Sequence, residues 1–238
     1  MGRHDVKAGR SVLERFASQP AVDAVAELIW NALDAEADQV VVRFDRGSLG
    51  EGSAEHLTRV RVEDNGHGIE PATAVDRFRS LGDSWKLGLA GRSLNDKRVL
   101  HGRHGRGRFF AYSLGHLVTW DTVWEDPEGN RVQFRLEGSR SAINYFSNTE
   151  PQSTNRQHTG TTVDIRVEQG KTLSSLLDED LPIRLSARFA PHLLGNADIE
   201  IRVMVCCSIR TRLSRFARRT SLSLRFRPEI WGVTQFRS

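Results

Sequence analysis

The stretch ELIWNALDAEAD, Glu27–Asp38, reads as helix, yet it sets Glu27, Asn31 and Asp34 at steps of four and three. A carboxylate, an amide and a second carboxylate therefore stack on one face. Val22, Val25, Ala26, Ile29 and Leu33 form an apolar stripe roughly opposite. Polar residues opposite such a stripe are most often just solvated. Asn and Asp are mediocre in mid-helix, however, because their side chains compete for backbone hydrogen bonds. The neighbouring sequence has to decide what the face is for.

Upstream, residues 11 to 36 read as helix broken near SQP, since Pro20 suits a first turn and not a helix interior. Downstream, QVVVRF (39–44) and the alternating TRVRVED (58–64) read as strands joined by a glycine-rich loop. PATAVDRFRSLG (71–82) reads as a short helix ended by Gly82, and a long basic, glycine-containing loop follows. GRFFAYSLG (107–115) is a predicted helix. HLVTWDTVWED and RVQFRLEG form a predicted hairpin about the turn PEGN (127–130). TTVDIRVE (161–168) alternates as a strand, residues 171–193 are helical with an interruption at Pro182, and DIEIRVMV (198–205) is a last strand. Helices alternating irregularly with hairpin-linked strands predict an α+β fold, a two-layer sandwich of one mixed, mostly antiparallel sheet with helices on one face.

Three further features carry chemistry. Asp64 shares strand parity with Val60 and Val62, so its carboxylate leaves the sheet on the apolar side. An unpaired charge there would be costly. Gly66 and Gly68 follow at once, although Asp-Asn-Gly is also an ordinary turn sequence. HGRHGRGRFF (101–110) places Gly102, Gly105 and Gly107 at the entrance of a helix, where exposed N–H groups and the helix dipole favour an anion. HTGTTVDI (158–165) sets Gly160 and Thr161 at the start of a strand.

The order of these features resembles the GHKL ATPase superfamily, the group of gyrase B-type topoisomerases, MutL-type repair proteins, heat-shock chaperones of the ninety-kilodalton class, microrchidia-type ATPases and histidine-kinase catalytic domains. ELIWNALDA is similar to its first motif, DNGHG to its second, GRHGRG to its third and GT to its fourth, over roughly residues 10 to 205. The likeness is strongest to stand-alone bacterial members and to the microrchidia and chaperone branches. It implies a Bergerat-type ATP-binding fold over residues 1–204, with a lid at about 82–108. It further implies Glu27 as the general base, Asn31 as the Mg2+ ligand, and Asp64 as the acceptor from the adenine amino group. Gly68 would let the base lie against the backbone, Thr161 would support Asp64, often through water, and Asp34 would help shape the site. Gly102, Gly105 and Gly107 would wrap the phosphates, and Lys86 sits where related lids carry a phosphate-contacting lysine. His67, His101 and His104 lie beside motif residues and read as ordinary, without metal-cluster spacing.

Net charge is +4, but residues 77–108 and 205–238 each carry +7, which leaves −10 on the rest. Such basic segments suit anionic partners. No signal-peptide core and no run of about 20 apolar residues is present, so a cytoplasmic protein without membrane partners is expected. The adjacent Cys206 and Cys207 suit neither an ordinary disulfide nor a zinc site. Residues 205–238 read as a basic tail, or as the truncated or frame-shifted remnant of a following domain. The expected activity is Mg-ATP binding with slow hydrolysis that drives a conformational or dimerisation switch, with a homodimer, a nucleic acid or a protein client as partner. A nucleotide-gated binding module without hydrolysis, or an ATP-regulated nucleic-acid binder, remains the alternative.

Overall fold

The computed structural model describes residues 1–47, 56–80, 107–196, 198–207, 219–224 and 234–237. Among the described residues there are five α-helices: α1 (Arg10–Phe16), α2 (Ala21–Asp34), α3 (Pro71–Arg79), α4 (Gly107–Phe110) and α5 (Leu181–Leu194). The strands are β1 (Gly2–Asp5), β2 (Gln39–Gly47), β3 (His56–Asp64), β4 (Leu117–Glu125), β5 (Arg131–Ser139), β6 (Tyr145–Asn148), β7 (Gln152–Ser153), β8 (Gly160–Arg166), β9 (Glu200–Cys207), β10 (Arg219–Leu224) and β11 (Thr234–Arg237). They build one sheet in the order β1-β6-β5-β4-β8-β3-β2-β9-β10-β11, with β7 on β5. Only β2 with β9 pairs in parallel among the described ladders, so the sheet is mixed and mostly antiparallel, as the sequence predicts.

Parity settles which face the helices cover. Val40, Val42 and Phe44 of β2, Val60 and Val62 of β3, Val118 and Trp120 of β4, and Val163 and Ile165 of β8 are buried on one side. Their neighbours Arg43, Arg59, Arg61, Glu63, Asp121, Arg135 and Asp164 stand on the other, where Asp164 pairs with both Arg59 and Arg61, and Asp121 with Arg135. One face is thus a hydrophobic floor and the other a charged ladder, the pattern of a half-solvated antiparallel sheet.

Helix α2 lies on the floor, contacting β2, β3, α4 and α5. Its stripe is wider than the sequence suggests: Ala24, Leu28 and Ala32 are buried alongside Val25, Ala26, Ile29 and Leu33. Trp30 packs its ring 4.7 Å from Phe189 of α5 and 5.2 Å from His192. A helix clothed on most sides leaves little room for a wet polar face, and Asp34 is only 4% exposed.

Several predicted elements shift. GRFFAYSLG is α-helical only over Gly107–Phe110 and tightens to a 3-10 turn at Ala111–Ser113. Helix α3 ends at Arg79, while Gly82 lies outside the described residues. Pro182 sits in the first turn of α5, where its missing N–H costs nothing, and residues 174–176 form a separate 3-10 turn. Strand β9 spans Glu200–Cys207, and β10 and β11 continue the sheet from it. No helix among the described residues is long and apolar enough to cross a membrane.

Candidate active site

Asp64 ends β3 with its side chain directed to the helical face, as its parity requires. Its Oδ1 accepts from the backbone N–H of Gly66 at 2.9 Å and of Thr161 at 3.1 Å. Burial pushes its pKa up to about 7, and the two N–H donors only partly oppose that shift. The next residue turns the other way. Asn65 Oδ1 accepts from the N–H groups of Asp38 and Gln39, and its amide donates to Asp38, which fastens the loop to the start of β2.

The glycines around Asp64 are set by backbone contact. Gly68 has φ 73°, and a Cβ there would strike the carbonyl of Val123 in β4. Gly160 has φ 137°, and a Cβ there would strike the carbonyl of Asp64 itself. The second and fourth glycine signatures therefore hold each other in register across β3, β8 and β4.

The other pair of signatures also meets. Gly107 opens α4 against α2, and a Cβ on it would lie 2.6 Å from Glu27 Oε1 and 2.9 Å from Asn31 Nδ2. Only a glycine lets the backbone come this close to the carboxylate and the amide. Between the two pairs lies a cavity of about 190 Å3, walled by Asn31, Asp34, Asp64, Gly68, Gly107 and Thr161, with Val62, Val163, Ile69, Phe78 and Trp120 supplying apolar surface. A mostly apolar hollow with a few convergent polar groups is the usual form of a small-molecule site. Glu27 is half-buried beside Gly107, at the edge of this wall. Lys86, Gly102 and Gly105, with most of the expected lid, lie outside the described residues.

A sequence profile of the histidine kinase-, DNA gyrase B-, and HSP90-like ATPase family matches residues 19–164, more than half of the chain. The chain belongs to this family. No curated protein matches it significantly. Members of the ATPase family bind ATP, so the cavity roofed by α2 is the place where this chain's nucleotide chemistry has to be sought.

Three details of the family site differ from the sequence reading. Thr161 supports Asp64 directly through its backbone N–H, while its hydroxyl lies 3.2 Å from that of Thr122. His67, read as ordinary, lines the cavity. Its Nδ1 lies 2.7 Å from the Gly68 carbonyl, which can only accept, so Nδ1 carries the proton; burial keeps the ring's pKa below its usual value. Arg77 and Arg108 also line the cavity, and burial lowers the pKa of each.

Thr122 is another residue that the sequence reading missed. It is 1% exposed, accepts from the Ile69 N–H at 2.9 Å and lies 3.3 Å from the Gly160 carbonyl, so it ties the second glycine loop to the fourth. Its signal was present: Val118, Trp120 and Thr122 share inward parity, and a hydroxyl on a buried face needs partners. Thr122→Val keeps the shape but strands the Ile69 N–H. We expect a stability loss of about 1–3 kcal/mol, read as a lower urea midpoint at unchanged slope. An unaltered midpoint would show that the link is dispensable.

Proposed function

We propose that this chain binds Mg-ATP in the cavity beneath α2 and hydrolyses it slowly, with Glu27 as general base. The observation that carries this reading is the single cavity wall shared by Asn31, Asp34, Asp64, Gly68, Gly107 and Thr161, residues drawn from four separated signatures. Asp64 takes the adenine end: ionised, it accepts from the exocyclic amine, and Val62, Val163 and Ile69 flank the ring. The phosphates lie towards Gly107, whose lack of a side chain opens the backbone beside Asn31 and Glu27.

The residues there fit a magnesium ion. The Asn31 amide, whose Nδ2 faces Gly107, also carries an oxygen suited to a hard cation that keeps most of its ligands as phosphate and water. Asn31 would hold it, and it would supply charge neutralisation on the phosphate oxygens. Glu27, one helical turn before Asn31, orients a water and takes its proton as the water oxygen attacks the γ-phosphorus, while the bond from that phosphorus to the β–γ bridging oxygen breaks and ADP leaves with that oxygen. The polypeptide contributes mainly position and electrostatics, which is what phosphoryl transfer demands.

We further assign residues 1–204 to the ATP-binding unit with its lid at about 82–108, and hydrolysis to a conformational or dimerisation switch. The deciding experiment measures ATP affinity and steady-state turnover of the full chain with and without Mg2+. Micromolar to millimolar binding with Mg2+-dependent phosphate release supports the reading. Binding with no release in single-turnover assays leaves a nucleotide-gated module, and absence of binding removes the proposal.

A further inference from the structure

His67 stands in the cavity wall with half of its ring chemistry unused. It comes three residues after Asp64 in the loop leaving β3, and it lines the same hollow as Asp64, Gly68 and Thr161. The backbone around it is pinned at three points. Gly66 donates its N–H to Asp64 Oδ1 at 2.9 Å, His67 donates its own to the Ala35 carbonyl at the end of α2 at 2.9 Å, and Ile69 donates to Thr122 Oγ1 at 2.9 Å. The ring is held as well, by the bond of Nδ1–H to the Gly68 carbonyl at 2.7 Å. With the proton on Nδ1, Nε2 keeps its lone pair and can only accept. That nitrogen is buried and has no hydrogen-bond partner among the described residues.

A buried acceptor without a donor is costly, and in a cavity wall it calls for a donor that arrives with the ligand. Burial keeps the imidazole neutral at pH 7 against the pull of the Gly68 carbonyl, while the charges of Glu36 and Arg77 act in opposite senses. ATP offers few donors. Its ring nitrogens and phosphate oxygens accept, which leaves the exocyclic amine of the base and the ribose hydroxyls. The amine carries two hydrogens, and Asp64 takes one of them. His67, on the same short loop, is the neighbouring acceptor for the other. Asp64 alone discriminates poorly, because a carboxyl with a pKa of about 7 is partly protonated at neutral pH and can then donate to the 6-oxo group of guanine or hypoxanthine. The Nε2 lone pair has no such second form while Nδ1 holds the proton.

We propose that His67 determines base specificity: its Nε2 accepts the second amine hydrogen of adenine beside Asp64, and it opposes a 6-oxo purine acceptor against acceptor. This rests on the ATP-binding reading above and adds to it the class of base selected, a 6-aminopurine over a 6-oxopurine.

The test titrates ATP and ITP at pH 7 into the full chain as wild type, His67→Phe and His67→Leu, after thermal melts of all three. His67→Phe keeps a flat ring and removes the acceptor. It is expected to weaken ATP about 3–10-fold and to leave ITP within about twofold or tighter, so that the preference for ATP over ITP falls at least threefold. His67→Leu should shift the preference in the same direction. Equal weakening of ATP and ITP, an unaltered preference, or loss of a cooperative melt in both variants overturns the proposal, because His67 is then only part of the wall's packing. A wild-type chain that binds neither nucleotide instead overturns the ATP-binding reading, so the two failures are told apart.

Discussion

Glu27→Gln is expected to lower ATP turnover by about 10²–10⁴ while leaving ATP affinity within about twofold. The substitution is nearly isosteric. Glu27 is half-buried on α2, its Oε1 sits against Gly107, and it stands at the edge of the cavity rather than within its wall. A neutral amide of the same size keeps that packing and so keeps the approach of α4 to α2. What it removes is an acceptor basic enough to take a proton from water in the transition state. Effects confined to kcat mark an interaction made only in the transition state. Single-turnover phosphate release and equilibrium titration, run side by side, read the two quantities. Turnover within threefold of wild type would take the general-base role away from Glu27, and a parallel loss of affinity would make the residue structural.

Much of this site was legible because it is built on periodic elements. The 3.6-residue spacing of α2 put Glu27, Asn31 and Asp34 on one face, and the two-residue period of β3 sent Asp64 inward. Both assignments need only local geometry. The pairings that complete the sheet were not legible in the same way. Strand β1 is four residues, GRHD, with no apolar alternation; it is a strand because Gly2–Asp5 pairs with Tyr145–Asn148, far away in the sequence. The parallel pairing of β2 with β9 likewise depends on register between distant segments. Arg108 was counted in a basic run suited to an anionic partner, at the end of the expected lid. Its burial follows from α4 docking beside Phe78 and Phe109, which composition does not reveal. The glycines were recognised in advance; what the structure adds at 68 and 160, beside positive φ, is the carbonyl of a neighbouring strand.

Asp64→Asn is expected to weaken ATP by at least about 100-fold and, at pH 8, to stabilise the unliganded fold. The two effects share one cause. The native carboxyl is buried with a pKa near 7, against an ordinary value of 3.8. Below pH 3.8 it is protonated in both folded and unfolded chains and contributes no difference. Between about pH 4 and pH 7 the unfolded chain releases this proton and the folded one retains it, so stability falls as pH rises and the deficit is complete above pH 7. The deficit is on the order of 2–4 kcal/mol, and an amide avoids it. At position 64 the Asn oxygen would accept from Gly66 and Thr161 as Asp64 Oδ1 does, leaving its NH2 towards the adenine amine, donor against donor. In the native chain, ATP binding draws the ionised form and releases a proton below pH 7. Affinity should therefore drop roughly tenfold between pH 8 and pH 6, and this pH dependence should vanish in the variant. Thermal melts of both chains at pH 5 and pH 8, with calorimetric titration of ATP in buffers of different ionisation enthalpy, read both effects. A variant melting no higher than the native chain at pH 8 would mean that Asp64 carries no such strain. A pocket acid that recognises adenine in this way would trade stability for recognition, a reason for placing a carboxylate on a face otherwise given to Val60, Val62, Val163 and Ile165.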